Sequence, residues 1–134
     1  MNEPYVDHIG IIVENLEEAL RLFEEIFNLK ATKVVDMAEV GLRVATLKAS
    51  NIDLELIQYL EEKEGIARKA MGVRKGINHI SFRVKDVVTS LVELKGKGPE
   101  VTEGFPRQGS HGPVAFFRPE TTQGILLEIC EGDG

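Results

Sequence analysis

One strand-and-helix pattern occurs twice in this chain of 134 residues, each time with a histidine near its start. Asp7-His8-Ile9, then Val13-Glu14-Asn15-Leu16 and Ala19-Leu20, returns as Asn78-His79-Ile80, then Val84-Lys85-Asp86-Val87 and Ser90-Leu91. A glutamate follows each histidine inside an apolar run: Glu55 in Leu54-Glu55-Leu56-Ile57 and Glu128 in Leu127-Glu128-Ile129. The separations are 47 and 49 residues. A duplicated half-module restricts the fold to two cooperating copies of one unit, with two histidines and two glutamates around a pseudo-two-fold axis.

The local pattern of each half is βαβββ. Tyr5 to Val13 reads as a strand whose two faces, Ile9/Ile11/Val13 and Val6/His8/Gly10/Ile12, are both largely apolar, so both are expected to be covered. Asn15 with Glu18 three residues on resembles a capping arrangement. Leu16, Ala19, Leu20, Phe23, Ile26 and Phe27 then recur at helical spacing, which predicts a helix over 16–27. Strands are predicted at Lys33–Asp36, Leu42–Lys48 and Ile52–Gln58, the last two joined by a turn at Ala49-Ser50-Asn51. Glu61 to Gly76 reads as a linking helix. The second half has a strand at Ile77–Val84 and a helix capped by Asp86 that ends in Gly96-Lys97-Gly98-Pro99. A short strand near Val101 precedes a closing hairpin, Val114–Arg118 with Ile125–Cys130. The fold class is therefore α+β: two βαβββ modules, about 5–60 and 76–131, forming a curved mixed sheet around a cavity, within one domain spanning 1–134.

In such a module one sheet face packs on the helix. Ile9 and Ile11, like Ile80 and Phe82, fall on that side, while His8, His79 and Ser81 fall on the other, as do Glu55 and Glu128 by the same period-two count. A lone histidine in an apolar strand is more often a satisfied core residue than a ligand. The glutamates alter that balance, because a buried carboxylate is expensive without a counter-charge and neither strand supplies a Lys or Arg beside it. A divalent cation held by His8, Glu55, His79 and Glu128 compensates both carboxylates at once. Mixed nitrogen and oxygen ligation suits Co, Mn, Ni, Zn or Fe without selecting among them.

Composition excludes other classes. A net charge of −6 argues against a nucleic-acid surface, which needs clustered Lys and Arg. No apolar run approaches the length of a membrane span, and Met1-Asn2-Glu3-Pro4 has none of the features of a secretory leader, so a cytoplasmic location is expected. Cys130 alone cannot form an internal disulfide and reads as a small buried side chain.

With these residues in place, the chain from Val6 to Glu131 resembles the vicinal oxygen chelate (glyoxalase/bleomycin resistance/dioxygenase) superfamily. Within it the chain is most similar to the methylmalonyl-CoA epimerase branch. The resemblance rests on Asp7-His8-Ile9-Gly10-Ile11, Glu17-Glu18-Ala19-Leu20, Gly109-Ser110-His111-Gly112, Val114-Ala115-Phe116-Phe117-Arg118-Pro119 and Gly124-Ile125-Leu126-Leu127-Glu128. It implies an isomerase with a divalent metal (Co, Mn, Ni or Zn) on His8, Glu55, His79 and Glu128 and an acyl-CoA substrate. The reaction it implies interconverts (2R)- and (2S)-methylmalonyl-CoA through a metal-stabilised enolate, with Glu128 exchanging a proton. Many relatives are dimers, and each module leaves a sheet edge to cover, so a homodimer is expected. Some epimerases carry a second glutamate on the third strand; Arg43-Val44-Ala45-Thr46 has none, which makes Glu55, a glutamine in some relatives, the first candidate for the opposing base. Arg118 and Asn78 replace histidines common in that branch.

Two readings stand for Ser110, His111 and Gly112: a turn that needs glycine, or a loop that closes on the substrate carboxylate. Arg68, Lys69, Arg74 and Lys75 read as a solvated helix face or as partners for coenzyme A phosphates. The competing functions are a glyoxalase I-like lactoylglutathione lyase, an extradiol dioxygenase, for which Glu55 would be surplus, and a non-enzymatic resistance-type binding module.

Overall fold

The computed structural model describes residues 4–60 and 65–131. They form two compact units, one of residues 8–60 and 65–78, the other of residues 79–131 together with 4–7. The expected βαβββ order is present in both copies.

In the first copy the elements are β1 (Val6–Ile12), α1 (Leu16–Phe27), β2 (Ala31–Met37), a 3₁₀ turn (Ala38–Val40), β3 (Leu42–Lys48) and β4 (Asp53–Tyr59). Spatial order is β2-β3-β4-β1, with β4 parallel to β1 and antiparallel to β3. The Asn15 side chain accepts from the Glu18 N–H at 2.9 Å, and Asn28 takes the left-handed conformation that stops the helix. The apolar stripe of α1 (Leu16, Ala19, Leu20, Phe23) packs on Ile11, Ala45, Leu47, Leu54 and Leu56. The opposite face is divided. Its apolar end, Ile12, Leu42, Val44 and Ile57, is covered by a short helix, α2 (Ile66–Met71), through Ala67 and Met71. Its other end carries His8, Glu55 and Thr46.

The helix α2 occupies only part of the stretch expected to be helical; residues 61–64 lie outside the described residues. It belongs to the first unit because Tyr59 holds it. The Tyr59 hydroxyl donates to the Gly72 carbonyl at 2.6 Å, and Arg68 stacks on the Tyr59 ring at 4.5 Å. Asn78 Nδ2 donates to the Met71 carbonyl at 2.8 Å, which gives the residue that stands in for a histidine a structural task.

The second copy comprises β5 (Gly76–Arg83), α3 (Val87–Leu94), β6 (Arg107–Gln108), β7 (Pro113–Phe116), a 3₁₀ turn (Pro119–Thr121) and β8 (Leu127–Cys130), in the order β5-β8-β7-β6. Again the first and last strands are parallel. Phe82, Val87, Leu91, Ala115, Phe117, Leu127 and Ile129 form the core beneath α3. Beside it Arg83 donates to Asp7 at 2.8–2.9 Å and lies over the Tyr5 ring. Burial works against the Arg83 charge, but the hydrogen bond and attraction from Asp7 outweigh it and raise its pKa above the ordinary value. The strand expected near Val101 is reduced to one bridge, Val101 to Phe117. The chain turns away there, with the Phe105 N–H donating back to Thr102, and Pro106 has no N–H to extend a ladder. Pairing resumes only at Arg107–Gln108 against Pro113–Val114. No described helix is long and apolar enough to cross a membrane.

Both copies share a device that sequence reading missed. Gln58 Oε1 accepts from the Leu16 N–H at 2.7 Å, and Glu131 Oε2 accepts from the Val87 N–H at 2.8 Å. Each is the third residue after the glutamate of its last strand. Each satisfies the first amide of the helix in its own copy, and Glu131 also places negative charge at a helix amino end. Removing either group costs a cap, so Gln58→Ala and Glu131→Ala are each expected to lower stability by about 0.5–2 kcal/mol in urea denaturation. Unchanged midpoints in both would show that the strand-to-helix tie contributes nothing.

Candidate functional site

Parallel pairing of the first and last strand in each copy sets each histidine close to its glutamate. In the first unit the register pairs His8 with Asp53, Gly10 with Glu55 and Ile12 with Ile57, while β3 sets Thr46 opposite Glu55. Glu55 therefore sits in a cross-strand row Gly10–Glu55–Thr46, on the face opposite α1. His8 Nε2 is 3.5 Å from Glu55 Oε1.

The second unit repeats this. Ser81 pairs with Glu128, and Glu128 with Phe116, giving the row Ser81–Glu128–Phe116 on the face opposite α3. His79 Nε2 is 3.7 Å from Glu128 Oε1, and its ring meets Phe116 edge-on at 5.0 Å between centroids. Ser81 stands where the first copy has Gly10, and Phe116 where it has Thr46. Cys130, on the same face as Glu128, is a buried thiol.

All four expected ligands are buried, none more than 6 % exposed. The two nitrogen-to-oxygen distances exceed an ordinary hydrogen bond of about 2.7–3.2 Å. They are comparable with the spacing of two donors sharing one cation, each bonded at about 2.0–2.2 Å. Neutral imidazole and carboxylate donors suit a divalent ion of the first transition row. Each unit thus holds one buried His–Glu pair whose chemistry fits such an ion.

The remaining sequence candidates are placed differently. Ser110, His111 and Gly112 form a tight loop ahead of β7, half-buried, closed by the Gly109 N–H donating to the Gly112 carbonyl at 2.7 Å. Gly112 has φ +141°, and a Cβ on Gly109 would approach Val114 Cγ1 to 2.7 Å, so the turn needs both glycines whatever else the loop does. Lys69, Arg74 and Lys75 are exposed, whereas Arg68 is half-buried on Tyr59. Arg118 is exposed and pairs with Glu100 and Glu120. No carboxylate lies on β3 between Leu42 and Lys48, but Glu39 stands exposed on the 3₁₀ turn that leads into it. Reading the motif strand alone passed over that turn.

The model of the Glyoxalase/Bleomycin resistance protein/Dioxygenase superfamily matches residues 7–117. The uncharacterized protein YqjC of Bacillus subtilis is 31% identical over 130 residues, covering 96% of this chain and 93% of its own. The ethylmalonyl-CoA/methylmalonyl-CoA epimerase of Cereibacter sphaeroides is 30% identical over 130 residues, with 92% and 95% covered. Among solved structures, a methylmalonyl-CoA epimerase variant of Streptomyces coelicolor, in complex with 2-nitronate-propionyl-CoA, superposes with a TM-score of 0.81 at 26% identity. That match covers 97% of this chain and 98% of the other. With the family model spanning most of the sequence and the βαβββ unit present twice, the chain belongs to the Glyoxalase/Bleomycin resistance protein/Dioxygenase superfamily.

Proposed function

We propose that this protein is a metal-dependent epimerase that interconverts (2R)- and (2S)-methylmalonyl-CoA. The observation that carries the reading is the buried His–Glu pair repeated in each βαβββ copy, His8 with Glu55 and His79 with Glu128. Similarity to enzymes named as epimerases of this substrate supports it. In this reading the four side chains hold one divalent cation, of which Co, Mn, Ni and Zn are the candidates.

When bound, such an ion supplies Lewis-acid stabilisation of the negative charge that develops on the thioester oxygen as the C2 proton leaves. Glu128 takes that proton from one face of C2, the C–H electron pair passes into the thioester carbonyl, and the acid form of an opposing carboxylate returns a proton to the other face. Glu55 is the opposing carboxylate in this scheme: a weakly held ligand that would leave the ion in order to give or take a proton. Loop residues Ser110, His111 and Gly112 close on the substrate carboxylate. Gly109 and Gly112 let the chain turn tightly there, where a side chain on Gly109 would meet Val114. The protein acts in the cytoplasm as a homodimer in this reading.

The test is proton exchange. Metal-loaded protein incubated with methylmalonyl-CoA in deuterated water is expected to lose the C2 proton signal and to interconvert the epimers, while a hemithioacetal substrate run beside it is left unconverted. Turnover of the hemithioacetal without exchange at methylmalonyl-CoA would replace the epimerase reading with a glyoxalase-like lyase. Glu128→Ala is expected to lower turnover by about 10²–10⁴-fold, the range of a lost acid–base group. Glu55→Gln is expected to reduce activity similarly, and the control Glu39→Gln to leave it near wild type. The reverse pattern would move the opposing base from Glu55 to Glu39.

A further inference from the structure

Ser81 is fully buried, with 0 % of its surface exposed, and its Oγ has no hydrogen-bond partner among the described residues. A hydroxyl left unsatisfied in a protein interior has lost its hydration without a hydrogen bond to offset the loss. Alanine fills nearly the same volume without that loss, so the hydroxyl is unfavourable in the conformation seen.

Its position suggests when it is satisfied. Ser81 is two residues beyond His79 on β5, hence on the same face, and the parallel register sets it directly beside Glu128 on β8. The neighbour of Glu128 on its other side, Phe116, has no hydrogen to donate to a carboxylate. Ser81 therefore brings the hydroxyl donor to the cross-strand row that contains Glu128. In the first copy the hydroxyl of the row lies on the other side: Gly10 fills the place of Ser81 beside Glu55, and Thr46 stands where Phe116 stands in the second.

We propose that Ser81 is a positioning residue. Its hydroxyl donates a hydrogen bond to the Glu128 carboxylate when that side chain turns to a divalent cation held with His79, and so fixes which oxygen faces the ion. The inference rests on the metal-binding part of the function proposed above and is independent of the substrate. It makes the two copies unequal in the source of the hydroxyl: Ser81 on the first strand of the second copy stands beside Glu128, whereas in the first copy Thr46 on β3 stands beside Glu55.

Cobalt(II) titration of the metal-free protein, followed by calorimetry and by visible absorption, tests this without any substrate. Ser81→Ala is expected to weaken cobalt binding about 10–100-fold, as loss of a group that orients a ligand does, and to change the visible spectrum. The melting temperature without metal should be unchanged or higher. Ser81→Thr, which retains the hydroxyl, is expected to keep wild-type affinity and spectrum. Affinity within twofold of wild type and a superimposable spectrum for Ser81→Ala would overturn the proposal while leaving the metal site intact. Equal losses in both variants, or a loss accompanied by a lower metal-free melting temperature, would overturn it in favour of a packing role. A wild-type protein that takes up no cobalt would remove the metal site itself, and this inference with it.

Discussion

Parallel pairing between the first and last strands of a βαβββ copy is the constraint on which the other features depend. It cannot be made by a hairpin and needs a long crossover, which this chain makes through a helix and two further strands before it returns beside its start. That path is what separates His8 from Glu55 by 47 residues, and His79 from Glu128 by 49, while leaving each pair 3.5–3.7 Å apart. The histidine and the glutamate share a face because paired residues in a ladder point the same way. Had either register slipped by one residue, the glutamate would have pointed into the apolar core under the helix.

The helices hold that register from outside. Gln58 and Glu131 leave the ends of β4 and β8 to satisfy the first amides of α1 and α3, so the strand that bears the glutamate is anchored to the helix that covers its back. In the first unit α2 covers the apolar end of the opposite face and leaves the end with His8, Glu55 and Thr46. Polar groups thus stay on a face whose apolar remainder is already covered. The burial of four ionisable side chains is tolerable in this architecture only with compensation, and a shared divalent cation is the compensation proposed.

Much of this was legible in the sequence because it depends on short-range periodicity. The limits of α1 at Leu16 and Phe27, the Asn15 cap, and the face shared by His79, Ser81 and Glu128 all follow from counting by 3.6 or by 2. Other features depend on which segments meet, and local pattern carries little of that. Val101 looked like a strand, but the turn after Thr102 and Pro106 stop the ladder and move β6 to Arg107–Gln108. The attachment of α2 to the first unit follows from Tyr59 and Asn78, which are unremarkable in sequence. The caps from Gln58 and Glu131 were readable in principle, since both come three residues after the repeated glutamate. The differing identity of the two residues concealed the common role.

The repeat is also a record of divergence. Gly10 and Ser81 occupy one structural position, as do Thr46 and Phe116, so the surroundings of Glu55 and Glu128 differ although their backbone settings match. Whether the two His–Glu pairs serve one cation is tested most directly by counting bound metal in the wild-type protein and in His8→Ala and His79→Ala, each measured separately by equilibrium dialysis with elemental analysis. One equivalent per chain in the wild type, lost in either single variant, is the expected result. Two equivalents in the wild type with one retained in each variant would contradict a shared site and leave two independent ones.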